Sequence, residues 1–232
     1  MNNTAIILAA GVGKRMQAGK NKQFIELQGK TVLERTLEVF AQNPLVEKLV
    51  LVVKAGEEEI CRSLLRAETA AKTLIVTGGK ERQDSVYNGL KAISWQCDYI
   101  LVHDGARPLV TNEVIERTLI AAQEHGAAVC AVPVKDTIKQ ADESGQVITT
   151  LPRSSLWSVQ TPQAFKADKL ISAYEYAYQK GYYGTDDASL LEYNSQKVQI
   201  VMGDYENIKL TTPEDVELAM RILAKRPKGV IE

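Results

Sequence analysis

Short apolar runs alternate with longer amphipathic stretches along the chain, and this alternation constrains the fold more than any other feature of the sequence. The runs are short and several are rich in β-branched residues, which indicates buried strands. They lie at 5–9, 49–53, 74–76, 99–102 and 127–132, and the helix-like stretches lie at 32–40, 57–66, 84–93 and 112–124. A repeated strand–helix–strand order predicts an α/β fold, with a mainly parallel sheet covered by helices on both faces. Ligands of such sheets bind beyond the carboxyl ends of the strands, so we look for function in the loops that follow them.

The alternation stops at residue 134. Residues 134–156 contain two stretches that alternate in polarity on either side of a turn sequence at 142–145, which predicts a protruding β-hairpin. A two-stranded hairpin is marginally stable alone in water, so we expect this arm to pack on a second subunit. Beyond it we predict helices at 166–180 and up to about 193, a strand at 198–201, and a final helix that Thr212, Pro213 and Asp215 would cap. We expect one domain over 1–232, with the arm inserted in it.

Charge and cysteine content exclude several classes of protein. Lys and Arg number 28 and Asp and Glu number 29, so the net charge of −1 does not fit a general nucleic-acid binder. The three cysteines are too scattered for a disulfide framework or a zinc motif. No apolar run approaches the roughly 20 residues of a membrane span, and the N-terminus does not resemble a signal peptide. We therefore expect a cytoplasmic protein with no nucleic-acid or membrane partner.

The loop after the first strand is rich in glycine and then in cations. Glycine lets backbone N–H groups approach a phosphate chain closely. A Walker A motif is excluded because Arg15 follows Gly13-Lys14, and a dinucleotide fingerprint is excluded because Met16 stands where it needs its third glycine. The cations that follow, Lys14, Arg15, Lys20 and Lys22, match the charge of a triphosphate. A solvated basic turn would give the same pattern.

Two further loops carry candidate residues. The Gly-Gly pair at 78–79 follows a strand and precedes polar residues that open a helix, so it offers backbone donors, although an ordinary turn has the same composition. Asp104 directly follows a buried strand and could hold Mg²⁺ against phosphates. Arg107 could contact phosphate or pair with Asp104. His103 is read as a packed structural residue and not as a base.

The candidate residues of the second half of the chain are dispersed. Spacing alone does not distinguish substrate contacts from surface residues among them. They are Thr137, Arg153, Thr185, Lys209 and Thr211.

Eight segments in this order are similar to those of the 2-C-methyl-D-erythritol 4-phosphate cytidylyltransferases of the non-mevalonate isoprenoid pathway, and together they cover essentially the whole chain. They are Leu-Ala-Ala-Gly-Val-Gly-Lys-Arg-Met at 8–16, Asn-Lys-Gln-Phe at 21–24, Gly-Gly-Lys-Glu-Arg-Gln-Asp-Ser-Val at 78–86, His-Asp-Gly-Ala-Arg-Pro at 103–108, Val-Lys-Asp-Thr at 134–137, Gln-Thr-Pro-Gln-Ala-Phe at 160–165, Gly-Thr-Asp-Asp-Ala-Ser at 184–189 and Asn-Ile-Lys-Leu-Thr at 207–211. The resemblance implies a Rossmann-like fold and a homodimer whose arm crosses to the other subunit. It also implies that CTP and 2-C-methyl-D-erythritol 4-phosphate react, with Mg²⁺, to give 4-(cytidine 5′-diphospho)-2-C-methyl-D-erythritol and pyrophosphate.

The resemblance also implies roles for individual residues. Arg15 and Lys22 would neutralise the α-phosphate and the departing pyrophosphate. Arg153 and Lys209 would bind and aim the phosphate of the polyol, and Asp104 would hold the metal or the substrate. The other substrate contacts implied are Ala9, Ala10, Gly11, Gly79, Arg82, Ser85, Arg107, Thr137, Thr185 and Thr211.

Two alternatives are weighed against this function. Ribitol-5-phosphate cytidylyltransferases share several of these segments, but Ala9-Ala10, the Gly-Ala-Arg sequence at 105–107 and the stretch at 184–189 favour the methylerythritol enzymes. A regulator that binds CTP without turnover would have the same fold. Release of pyrophosphate distinguishes it from an enzyme. Lys80 departs from the small or acidic residue expected in the second loop.

Overall fold

The computed structural model describes residues 1–11 and 21–226. The strands are β1 (Asn3–Leu8), β2 (Glu26–Leu27), β3 (Lys30–Thr31), β4 (Lys48–Val53), β5 (Thr73–Thr77), β6 (Tyr99–Asp104), β7 (Ala127–Pro133), β8 (Lys139–Ala141), β9 (Val147–Thr150), β10 (Trp157–Lys166) and β11 (Gln199–Met202). The helices are α1 (Val32–Gln42), α2 (Glu58–Ser63), α3 (Ala67–Lys72), α4 (Arg82–Ala92), α5 (Asn112–His125), α6 (Ala167–Gln179), α7 (Asp187–Tyr193) and α8 (Pro213–Lys225).

Seven strands form one sheet in the order β11-β7-β10-β6-β1-β4-β5. The pairs β7–β11, β1–β6, β1–β4 and β4–β5 are parallel, which confirms the predicted mainly parallel sheet. β10 is antiparallel to both of its neighbours, β6 and β7. The sequence pattern does not predict this strand.

Helices cover both faces of the sheet, as predicted. Along β1, Ala5 and Ile7 point to the face that α1 and α5 cover, whereas Ile6 points to the face that α4, α6 and α7 cover. Both faces of the central strands are therefore buried, which explains why these strands read as continuous apolar runs.

The helix predicted at 57–66 is present as the shorter α2 (Glu58–Ser63), and the sequence did not predict the short helix α3 (Ala67–Lys72) that follows it. The N-terminus of α8 is capped as predicted, with the backbone N–H of Thr212 donating to Asp215 at 2.9 Å. The small hairpin of β2 and β3 was not predicted. Its turn places Gln28 and Gly29 at positive φ angles of 48° and 78°.

The predicted arm is present as a two-stranded sheet of β8 and β9, separate from the main sheet. Residues 135–150 are all exposed. Asp142 closes the turn by accepting hydrogen bonds from the backbone N–H groups of Ser144 (2.9 Å) and Gln146 (3.0 Å).

Within residues 1–11 and 21–226, no helix is long and apolar enough to cross a membrane.

Candidate active site

A cleft of about 220 Å³ opens at the carboxyl ends of β1 and β6, among the loops that were predicted to carry the function. Its lining residues are Leu8, Ala10, Gly11, Lys22, Gln23, Gly79, Lys80, Glu81, Arg82, Ser85, Asp104, Ala106 and Lys209. The structure thus brings together many of the predicted site residues, namely Ala10, Gly11, Lys22, Gly79, Arg82, Ser85, Asp104 and Lys209. Cations and backbone donors from distant parts of the chain line one open cavity.

The second glycine loop is shaped by Ser85, on the first turn of α4. Its hydroxyl accepts a hydrogen bond from the N–H of Gly79 (3.0 Å) and donates to the carbonyl of Glu81 (3.1 Å). A Cβ atom at Gly79 would overlap the Cβ of Asp84 and lie 3.0 Å from its carbonyl carbon. Glycine is therefore required at 79 for this close approach of loop and helix.

Asp104, at the end of β6, is the acidic centre of the cleft. Its Oδ2 atom lies 2.6 Å from Lys209 Nζ, and its Oδ1 atom lies 3.5 Å from Arg82 Nε. Burial alone would raise the pKa of Asp104, but the charges of Arg82 and Lys209 outweigh burial and hold the pKa well below its usual range. Asp104 is therefore ionised at neutral pH.

Lys22 approaches the same cleft from the N-terminal part of the chain. It begins a 3-10 turn, Lys22–Phe24, and its Nζ atom donates to the carbonyl of Leu210 at 2.9 Å. Leu210 directly follows Lys209, so this bond sets the two lysines on one side of the cleft. Arg15, together with Lys14 and Lys20, lies outside the described residues.

A buried hydrogen-bond network supports the loop at 103–108, which is called the third loop below. The N–H of Asp104 donates to Thr161 Oγ1 (3.0 Å), which also lies 3.1 Å from Nδ1 of the fully buried His103. The Nε2 atom of His103 faces the carbonyl of Arg107 at 3.3 Å. This arrangement fits a neutral imidazole with its proton on Nε2. It confirms the structural interpretation of His103.

Arg107 does not line the cleft. Its guanidinium donates to the carbonyl of Asn207 at 2.7 Å, and Asn207 in turn donates to the carbonyl of Thr161 at 2.8 Å. Arg107 forms no direct ion pair with Asp104, which pairs instead with Arg82 and Lys209. Arg107 instead joins the third loop to the segment that carries Lys209.

The other predicted contacts lie away from the lining of the cleft. Ala9 is buried, with its N–H bonded to the carbonyl of Val52, and Thr211 donates through its hydroxyl to Asp215 at the start of α8. Thr185 is exposed on the loop before α7. Thr137 and Arg153 are on the arm, where the Arg153 guanidinium donates to the carbonyl of Lys135.

One buried carboxylate behind the cleft, Asp187, has no role predicted from the sequence. Asp187 is fully buried, and its Oδ2 atom lies 2.8 Å from Arg82 Nη2. The opposite charges of Asp187 and Asp104 raise the pKa of Arg82 despite its burial. Asp187 was visible only as part of the stretch at 184–189, and nothing in its spacing separates it from the neighbouring Asp186.

The family model described as 2-C-methyl-D-erythritol 4-phosphate cytidylyltransferase matches residues 3–225. The chain is 51% identical over 227 residues to the protein of that name from Geobacillus kaustophilus, covering 97% of this chain and 99% of that protein. It is 47% identical over 228 residues to the one from Alkaliphilus oremlandii, covering 97% of each. The crystal structure of 4-diphosphocytidyl-2C-methyl-D-erythritol synthase from Anaerococcus prevotii is similar at a TM-score of 0.86, with 33% identity over 97% of this chain and 96% of that one. The chain therefore belongs to the 2-C-methyl-D-erythritol 4-phosphate cytidylyltransferase family.

Proposed function

We propose that the chain transfers the cytidylyl group of CTP to the phosphate of 2-C-methyl-D-erythritol 4-phosphate and releases pyrophosphate. The observation that carries this proposal is the cleft itself, which Lys22 lines together with the second glycine loop, and in which Arg82 and Lys209 lie close to the ionised Asp104. Family membership supports the same reaction, since the relatives carry that name.

The chemistry that this site must supply is electrostatic. A phosphate monoester is largely ionised at neutral pH, so its oxygen attacks the α-phosphorus of CTP without needing a strong general base, while the bond to the pyrophosphate oxygen breaks. The difficulty is the approach of one polyanion to another, which fixed cations relieve. In this proposal Arg15 and Lys22 stabilise the charge on the α-phosphate and the departing pyrophosphate, and Lys209 aims the attacking phosphate.

The loops on either side of the cleft fit the nucleoside part of CTP. Ala10, Gly11 and Gly79 expose backbone groups there with little or no side chain in front of them. Ser85 fixes the shape of the second loop, and Arg82 lies at its end, where α4 begins. We assign cytosine and ribose recognition to these two loops.

The cleft also fits Mg²⁺, which usually takes one or two protein carboxylates and completes its shell with phosphate oxygens and water. Asp104 supplies an ionised, hard oxygen at the cleft and is the residue that would hold the ion. Within the described ranges, no three His, Cys, Asp or Glu side chains form a metal-binding group, so phosphates would have to supply most of the ligands. When bound, Mg²⁺ would neutralise part of the triphosphate charge.

The arm supports a homodimer with shared sites. Its apolar side chains Val147 and Ile148 are 58% and 61% exposed. They leave apolar surface that a second copy of the chain would bury. We propose that the arm packs on a second copy and that Thr137 and Arg153 serve the partner's cleft.

Mixed dimers test this sharing directly. Arg153→Ala and Lys22→Ala chains are each expected to have low activity alone. If Arg153 acts across the dimer, a hybrid has one cleft with both residues intact and regains activity on mixing. If Arg153 acts within its own chain, every hybrid cleft lacks one residue and mixing restores nothing.

The proposed reaction is tested by pyrophosphate release with CTP and Mg²⁺, offering 2-C-methyl-D-erythritol 4-phosphate and ribitol 5-phosphate in parallel. A strong preference for the first is expected. A preference for ribitol 5-phosphate would keep the fold and the CTP side but overturn the assignment of the polyol side. Binding of CTP with no pyrophosphate released from either substrate would identify a regulator.

A further inference from the structure

We propose that Asp187 and Tyr174 are positioning residues that fix the guanidinium of Arg82 at the edge of the cleft. Arg82 touches the cleft, whereas Asp187 and Tyr174 lie behind it and act only through Arg82. The kinetic part of this inference depends on the proposed function. Its structural part does not.

The two oxygens of Asp187 have separate partners. Oδ2 lies 2.8 Å from Arg82 Nη2, and Oδ1 accepts a hydrogen bond of 2.6 Å from the hydroxyl of Tyr174. Asp187 is 0% exposed and Tyr174 is 1% exposed. A carboxylate is costly to bury, and its complete pairing here uses its charge to orient one cation.

Two carboxylates lie close to the guanidinium of Arg82. Asp187, at the start of α7, bonds one end of the guanidinium at 2.8 Å, while Asp104, at the end of β6, lies 3.5 Å from its Nε atom. The shortest contact of Asp104 is with Lys209, whose Nζ atom lies 2.6 Å from Oδ2. Without the charge of Asp187, Arg82 would be drawn towards Asp104 and would compete with Lys209 for it. Asp187 therefore also preserves the geometry of Lys209.

The packing of α4 against α6 and against the loop that precedes α7 does not depend on this one charge. Gln83 donates to the carbonyl of Tyr182 (3.1 Å) and accepts from the N–H of Gly184 (3.0 Å). The next residue, Asp84, accepts from the hydroxyl of Tyr178 at 2.7 Å. These bonds remain when Asp187 loses its charge, so Asp187→Asn is a test of Arg82 and not of the surrounding fold.

The first experiment measures kcat/KM for Asp187→Asn and Tyr174→Phe. We expect a loss of about tenfold or more for Asp187→Asn, because a charge-assisted bond is removed, and a smaller loss for Tyr174→Phe, which keeps the carboxylate. Glu38→Gln is the matched control. The Glu38 side chain is 11% exposed and pairs with Lys30 and Arg66 away from the cleft, so its removal should lower the melting temperature and leave kcat/KM within about twofold.

A double-mutant cycle separates positioning from a general structural role. In the Arg82→Ala background, adding Asp187→Asn should change kcat/KM by no more than about twofold, since its only route to the cleft is gone. Additive losses would overturn the proposal. Should Asp187→Asn not fold, the same cycle is run with Tyr174→Phe.

A ligand-free measurement keeps the inference independent of the reaction. Rotation of the Arg82 guanidinium about its Cζ–Nε bond, followed by ¹⁵N NMR, should be slow in the parent protein and at least about tenfold faster in Asp187→Asn. Unchanged rotation would refute the positioning role even if activity falls. Absence of turnover in the parent protein would instead refute the proposed function, and the rotation measurement would still decide the role of Asp187.

Discussion

Acidification from pH 7.5 to 5.0 is expected to destabilise the fold through His103. The imidazole of His103 is fully buried. The centroid of its ring lies 4.8 Å from the centroid of the Phe40 ring. Both of its nitrogens belong to the hydrogen-bond network that supports the third loop. Burial, which the nearby charge of Asp104 offsets only in part, lowers the pKa of His103 from 6.5 to about 3. Between these two pKa values the unfolded chain binds a proton that the folded chain does not.

The sign and the size of the effect follow from this difference. Because the unfolded state binds more protons, the free energy of unfolding rises with pH in this window and falls as the pH drops below 6.5. At pH 5.0, about 1.5 pH units below the pKa of the unfolded chain, the loss from this one group is about 2 kcal/mol. At pH 7.5 the contribution is close to zero.

Urea unfolding at pH 7.5, 6.5, 5.5 and 5.0 measures the effect, with His103→Gln as the reference. The pH dependence of all other groups is common to both proteins and cancels in the comparison. The parent protein should lose about 2 kcal/mol more than the variant between the two extremes of pH. Parallel pH dependences would refute a neutral, buried His103.

Three further predictions concern the cleft and the arm. Lys22→Ala should lower kcat more than about tenfold in a protein that remains folded, since a fixed cation at the reacting phosphate is lost; an unchanged kcat in steady-state assays would remove Lys22 from the chemistry. Arg153→Ala should mainly raise KM for the polyol phosphate; a change in KM for CTP alone would show that its role is misassigned. Gly79→Ala should force the second loop away from Asp84 and weaken CTP binding, measured by calorimetry, with a loss of unfolding free energy of about 1–3 kcal/mol; parent-like affinity would show that the close approach is not needed.

The strands that are apolar on both faces were predictable from the sequence. β10 was not predicted, and its composition shows why. Its central residues Gln160, Thr161 and Gln163 are polar yet buried, and Pro162 interrupts the run where the pairing with β7 shifts register. These side chains are satisfied by the third loop and by segments around 186 and 204, far along the chain. Periodicity alone does not reveal such a strand.

The site was predictable to the extent that it lies in loops after strands. The glycine loops and Asp104 follow from that rule, and Lys22 from charge and glycine context. The partnership of Lys209 with Asp104 joins residues 105 positions apart, and so does that of Arg82 with Asp187. Such pairs depend on the whole topology. The resemblance to a known family indicated Lys209 where spacing could not.

The bond from Lys22 to the carbonyl of Leu210 spans 188 residues of sequence. At synthesis rates of 5–20 residues per second, roughly 10 to 40 seconds separate the addition of these two residues to the growing chain. The strands β1, β4 and β5 can pair during that time, since they come from the first third of the sequence. The pair formed by Lys22 and Lys209 cannot be completed until the segment with Lys209 and Leu210 has been made. A nascent chain therefore acquires its two glycine loops long before it acquires the lysine pair, and chains halted before Lys209 would lack that pair even if their sheet had formed.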